Sequence, residues 1–105
     1  MPKQKQLNLP KKIRVGTRWY SVEVVEAMRN KSEMGRIHYD RRIIKLAKST
    51  HHGVRFRLSA LEETFWHELT HAILHDMGEH QLNNRESFVE EFANRLAKAI
   101  QTARF

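Results

Sequence analysis

From Thr64 to His75 the chain reads Thr-Phe-Trp-His-Glu-Leu-Thr-His-Ala-Ile-Leu-His, and the order of these side chains calls for a helix. Residues four apart lie on one helical face, so the imidazoles of His67 and His71 can converge on one metal ion. Glu68 follows the first of them, which lets its carboxylate reach a water held by that metal without binding the metal itself. The pattern is H-E-x-x-H, and a chain with seven His in 105 residues would contain roughly 0.04 such matches by chance. The flanks supply helix signals. Ser59 followed by Glu62 reads as a capping box, and Gly78 stands where a helix would stop. The spacing predicts a helix from Ser59 to Met77, with Phe65, Leu69, Ala72 and Ile73 as its apolar stripe, widened by Trp66, Thr70 and Met77. His67, Glu68, His71 and His75 fall on the remaining sector.

Composition bounds the rest. A chain of 105 residues makes one domain with a modest core. It has no cysteine, which excludes disulfides and thiolate metal sites and leaves His, Glu, Asp and water as ligands. No apolar run approaches a membrane span, and the basic start Met-Pro-Lys-Gln-Lys-Gln lacks the apolar core of a signal peptide. A cytoplasmic location fits the absence of cysteine. The net charge of +7 admits nucleic acid or an acidic protein as partner. No zinc-finger, helix-turn-helix or RNP pattern accompanies that charge, so nucleic acid is not the favoured partner.

Residues 1–12 read as a basic tail bounded by Pro2 and Pro10, and residues 13–105 as the folded domain. Ile13–Val15 and Trp19–Val25 read as strands across a turn at Gly16-Thr17, with Tyr20, Val22 and Val24 on the buried face. Residues 30–33 read as a turn or loop. Gly35–Tyr39 and Arg42–Leu46 then make a hairpin around Asp40-Arg41. Residues 48–58 read as a loop holding His51 and His52. A second helix starts after Asn83-Asn84, capped by Asn83 and Glu86, and runs to about Ala103. Its expected core stripe is Phe88, Val89, Phe92, Ala93, Leu96, Ala99 and Ile100. Strands followed by two long helices predict an α+β domain, a small antiparallel sheet packed on the motif helix and a C-terminal helix.

Two imidazoles do not complete a catalytic zinc site, which takes three protein ligands and leaves a place for water. His75 lies about 12 Å along the helix from His67, too far for both rings to reach one ion. On the second helix Glu91 points away from the apolar arc and pairs with Arg95 four residues on. Glu90 sits at the edge of that arc, where a residue facing a neighbouring helix would be. It is the preferred third ligand, with Asn94 four residues on as the group that would orient it. His80, Glu86 and Glu91 remain alternatives.

The segments His67-Glu-Leu-Thr-His-Ala-Ile-Leu-His75 and Glu90-Glu-Phe-Ala-Asn-Arg-Leu96 resemble the ImmA/IrrE family of small bacterial and phage metallopeptidases. Those are zincins of the gluzincin type, with H-E-x-x-H on one helix and a Glu in an E-x-x-A-[ND] segment on the next. The resemblance spans roughly residues 35–100, and Gly35–Leu46 looks like the hairpin that precedes the active-site helix there. It implies a minimal zincin fold. It also implies His67, His71 and Glu90 as ligands of one Zn²⁺, Glu68 as general base, and Asn94 as the polar residue beside the third ligand. Thr70 stands where many members have Gly, and Leu96 leads into Ala-Lys-Ala-Ile where a Met-Pro ending is common. The size and basic charge suit a phage or prophage gene product.

The expected function is zinc-dependent hydrolysis of a peptide bond in a specific protein substrate, with a repressor as the candidate. His38, Tyr39 and His75 are candidates for an additional donor to the transition state. The substrate would lie extended along Arg42–Leu46 as an added strand, and Arg41, Arg42 and Lys45 would favour acidic sequences. The competing expectation is a non-catalytic zincin-fold module that binds protein or nucleic acid and uses the metal structurally.

Overall fold

A computed structural model describes residues 9–30 and 33–105. Four strands come first: β1 (Lys12–Val15), β2 (Arg18–Val25), β3 (Gly35–His38) and β4 (Ile43–Ala47). Three helices follow: α1 (Leu58–Met77), the single turn α2 (His80–Asn83) and α3 (Glu86–Thr102). The expected α+β class holds, with element boundaries within about a residue of those read from sequence pattern. The first eight residues of the expected tail lie outside the described residues. The part that is described is attached to the domain: Leu9 packs against the core and the Lys11 carbonyl accepts from Val22 N at 2.8 Å.

The sheet is mixed, in the order β1-β2-β4-β3, and this corrects the antiparallel expectation. β1 and β2 form one antiparallel hairpin and β3 and β4 another, but β2 pairs parallel with β4. The reason lies in which strand must be covered. β4 is the most apolar strand, and Ile44, Leu46 and Ala47 have no exposed surface, so it occupies an interior position. β3 carries Arg36 and His38 and takes the edge, where charge is tolerated. β4 is therefore paired on both sides and cannot accept an added strand, which rules out Arg42–Leu46 as a substrate track.

α1 lies on one face of the sheet. Val15, Tyr20, Ile44 and Leu46 from the strands and Leu61, Phe65, Leu69 and Ala72 from α1 make one buried cluster. A close approach fixes one edge of this packing. A Cβ on Gly35 would stand 2.6 Å from Thr64 Cγ2, so only glycine lets β3 lie this near α1. α1 ends at Gly78, at φ 76°, where Gly78 N and Glu79 N bond to the carbonyls of His75 and Leu74, the left-handed stop expected there. Its start differs: the helix begins at Leu58 with Arg57 at the cap and no side-chain cap bond, so the Ser59–Glu62 box does not form.

α3 packs on α1 and α2 and does not touch the sheet. The layers run sheet, α1, α3. Its buried stripe is Val89, Ala93 and Ala97, narrower than expected and turned from it. Phe92 and Ile100 are about half exposed and Ala99 is exposed. Small residues at the contact let two helix backbones approach, which leaves the large apolar side chains at the flank. On α1, Ile73 and Met77 are likewise exposed, whereas Glu68 and Thr70 are buried. The segment 48–58 is an ordered turn: Ser49 and Arg55 form a bridge, and the Thr50 hydroxyl accepts from the His52 and Val54 amides. His51 and His52 are exposed, as expected. His51 Nε2 donates to the Met28 carbonyl.

Candidate metal centre

His67 and His71 sit one turn apart on α1 with ring centroids 5.0 Å apart. Glu86, the first residue of α3, brings its carboxylate between them. Oε1 stands 2.9 Å from His71 Nε2 and Oε2 3.2 Å from His67 Nε2. The three ligand atoms lie within 4.8 Å of one another, and this is the group found among the described residues that could hold a metal ion. Two imidazole nitrogens and one carboxylate oxygen make an N/O donor set of the kind that binds divalent transition metals. Burial holds the His67 pKa below its ordinary value, against the opposing pull of Glu86. The neutral imidazole, which is the ligating form, is thereby favoured.

Glu68 is buried, with 8% of its surface exposed, and desolvation pushes its pKa up to about 7. It lines an open cleft of about 710 Å³ with His67, His71, Glu86, Glu90 and Asn94 on one side and residues 33–37 on the other. The second wall is the edge strand β3 and the residues leading into it. Arg36 there is bonded to Glu33 through two guanidinium nitrogens. Tyr39 closes one part of the cleft. It stacks on His75 at 4.1 Å between ring centroids, and burial raises its phenol pKa.

His71 is fixed from behind. Its Nδ1 donates to Asn83 Oδ1 at 2.6 Å, and Asn83 Nδ2 donates to the Tyr39 oxygen at 3.0 Å. Asn83 does not cap α3, as its sequence position suggested; α3 starts behind Arg85 without a side-chain cap. The Asn83 side chain is buried and turned onto His71 instead.

The structure thus brings His67, Glu68 and His71 together as the motif requires. The acidic partner differs from expectation by one helical turn. Glu86, not Glu90, meets both imidazoles, while Glu90 lines the same cleft and raises the His67 pKa as a lesser influence. A helical wheel cannot separate two residues four apart. What separates them is the connection. By Asn83 the chain has returned from Gly78 to the level of His71, so α3 begins beside the imidazoles. Asn94 lines the cleft, and no bond from it to Glu90 is found. Of the three candidate donors, Tyr39 lines the cleft, whereas His38 and His75 do not. His80 meets His75 edge-on at 5.6 Å and stays outside the metal group. Glu91 pairs with Arg95 at 3.1 Å, as its spacing indicated. No protein-family model, no curated protein and no solved structure matches the chain. Among the described residues no helix is long and apolar enough to cross a membrane.

Proposed function

We propose that this chain is a zinc-dependent peptidase with a minimal zincin fold of the ImmA/IrrE-like kind, holding one Zn²⁺ through His67, His71 and Glu86. One observation carries the reading. Three nitrogen and oxygen donors that could hold a metal ion adjoin a buried carboxylate, and both open into one cleft beside a strand edge left unpaired among the described residues. A purely structural site would have no use for a carboxylate kept out of water at that point, because burying it costs free energy.

Bound zinc supplies Lewis acidity, lowering the pKa of a water and polarising the scissile carbonyl. The chain's own residues do the rest. Glu68 takes a proton from the attacking water and delivers it to the departing amine, a task suited to a carboxylate whose pKa lies near neutrality. Tyr39 offers its hydroxyl to the oxygen on which charge develops. β3 has one edge paired with β4, and no strand pairs with its other edge among the described residues. An extended substrate segment would add to that edge, with its backbone held by main-chain bonds. Arg36 stands on β3 at the cleft wall with its guanidinium paired to Glu33.

The test pairs metal analysis with cleavage. Purified protein should carry one zinc per chain and cleave a protein substrate found by screening co-encoded proteins. Glu68→Gln should keep the zinc and lose cleavage by several orders of magnitude. A Glu68→Gln variant that cleaves as fast as the parent, or a parent that takes up no zinc, would end the proposal.

A further inference from the structure

We propose that Asn83 is the positioning residue that makes His71 a ligand: it fixes the ring tautomer, and Tyr39 holds the Asn83 amide in the orientation this requires. The inference deepens the metal reading above and rests on it. A neutral imidazole carries one N–H, on Nδ1 or on Nε2, and only the nitrogen without the proton can bind a metal. The Nε2 of His71 is the nitrogen turned toward Glu86, at 2.9 Å, so it is the one that would face a metal held between them and would have to be bare when the metal binds. The Asn83 carbonyl oxygen, 2.6 Å from Nδ1, is an acceptor and demands the proton on Nδ1.

An amide has two ends, and the other end would do the opposite. If Asn83 presented its NH₂ group to His71, Nδ1 would have to accept, and the proton would move to Nε2. The ring could then no longer ligate. Tyr39 opposes that rotation. Its oxygen accepts from Asn83 Nδ2 at 3.0 Å, and the phenol is itself held against His75. Asn83 is buried, so water is a poor substitute partner for its amide. This bond has a second consequence. Because the Tyr39 oxygen accepts from Asn83, its own O–H hydrogen is left free to donate into the cleft. One amide thereby prepares both a ligand and a hydrogen-bond donor.

The placement follows from α2. That single turn ends at Asn83 and carries it back beside α1, three residues before Glu86. The ligand from α3 and the group that orients the ligand from α1 come from one short stretch of chain.

Two substitutions separate orientation from mere packing. In Asn83→Asp, both carboxylate oxygens accept, so His71 Nδ1–H and Tyr39 O–H both donate to the new side chain. The ligating tautomer is then locked and the ring made more basic. In Asn83→Leu the size is similar and the acceptor is gone. Zinc affinity, measured by competition with a chromophoric chelator, should fall about 10–100-fold in Asn83→Leu and hold or rise in Asn83→Asp. Nitrogen-15 spectra of the His71 ring in zinc-free protein carrying Glu86→Ala, which removes the competing acceptor at Nε2, should place a proton on Nδ1 with Asn83 in place and with Asn83→Asp. In Asn83→Leu the proton should move to Nε2. Tyr39→Phe should weaken zinc binding less than Asn83→Leu does. The thermal midpoints of the metal-free proteins report folding separately, so a lower midpoint with parental zinc affinity and tautomer would mark Asn83 as packing alone and overturn the inference. Equal zinc affinity in the parent and Asn83→Leu would do the same while leaving the zinc reading intact. A parent that binds no zinc would overturn both.

Discussion

Replacing Glu68 by Gln should make the metal-free protein more stable, and the gain should depend on pH in a defined way. The side chain is 8% exposed and burial raises its pKa from the ordinary 4.5 to about 7. The folded state therefore holds the proton more tightly than the unfolded chain. Below pH 4.5 the carboxyl is neutral in both states and costs nothing extra. Between about 4.5 and 7 the unfolded chain ionises while the folded protein does not, and stability falls as pH rises. Above 7 the folded protein ionises too and the loss stops growing. A rise of roughly 2.5 pH units, at 1.36 kcal/mol each, sets the full loss at about 3 kcal/mol. Glutamine has the same size and does not titrate, so Glu68→Gln escapes the loss.

The assay is urea unfolding in the presence of a chelator, followed by fluorescence of Trp66 and Trp19, for parent and variant between about pH 4 and 8.5. The free-energy difference between the two should be small at the acid end, grow through the interval from 4.5 to 7, and level off with the variant ahead by about 1–3 kcal/mol. Every other titrating group is common to both proteins and cancels. A difference that stays flat across the range, or a parent that is the more stable at pH 8, would refute the claim that Glu68 is ionised at a cost.

Other expectations concern the ligands and the packing. Glu86→Ala should lower zinc affinity by two orders of magnitude or more and Glu90→Ala by less than about tenfold, read by the same chelator competition; the reverse order would return the third ligand to Glu90. Gly35→Ala puts a methyl 2.6 Å from Thr64 Cγ2 and should cost about 1–3 kcal/mol in urea unfolding, with part of the loss recovered by Thr64→Ser. Phe92→Ser on the exposed flank of α3 should change stability by about 0.5 kcal/mol or less. By contrast, Ala93→Leu, at a position 1% exposed, should cost about 1–3 kcal/mol by overpacking.

Much of the fold was legible because it is written in short-range pattern. The strands alternate, the turn at Gly16-Thr17 and the Gly78 stop have local chemistry, and H-E-x-x-H fixes its own geometry. What escaped was non-local. Alternation says which residues of β2 and β4 face the core, but not that the two strands are neighbours. That depends on the inward residues Ile44 and Leu46, which are fully buried, placing β4 inside the sheet with a strand on each side. The wheel for α3 found an apolar arc, yet the helix docks through Val89, Ala93 and Ala97, because close approach to α1 outweighs burial of Phe92. The two capping boxes failed differently. Ser59 lies inside α1, which begins at Leu58, whereas the Asn83 side chain is drawn to His71 instead of the helix start.

The four-residue ambiguity between Glu86 and Glu90 shows how a small connection decides chemistry. Had the chain run from Gly78 straight into a second helix, a residue well inside that helix would face His67 and His71. The turn α2 folds the chain back first, so the opening residue of α3 reaches the imidazoles. A carboxylate in the first turn of a helix also meets the positive end of the helix dipole, which favours an acidic residue such as Glu86 at this place. The same turn delivers Asn83 to the far side of His71. α2 buries only Asn83, so its contribution to the core is slight and its effect on the site is large. Lengthening or shortening it by one residue would shift Glu86 by a quarter of a helical turn or more and separate the ligand from both rings, with the sheet, α1 and the Glu68 carboxylate left in place.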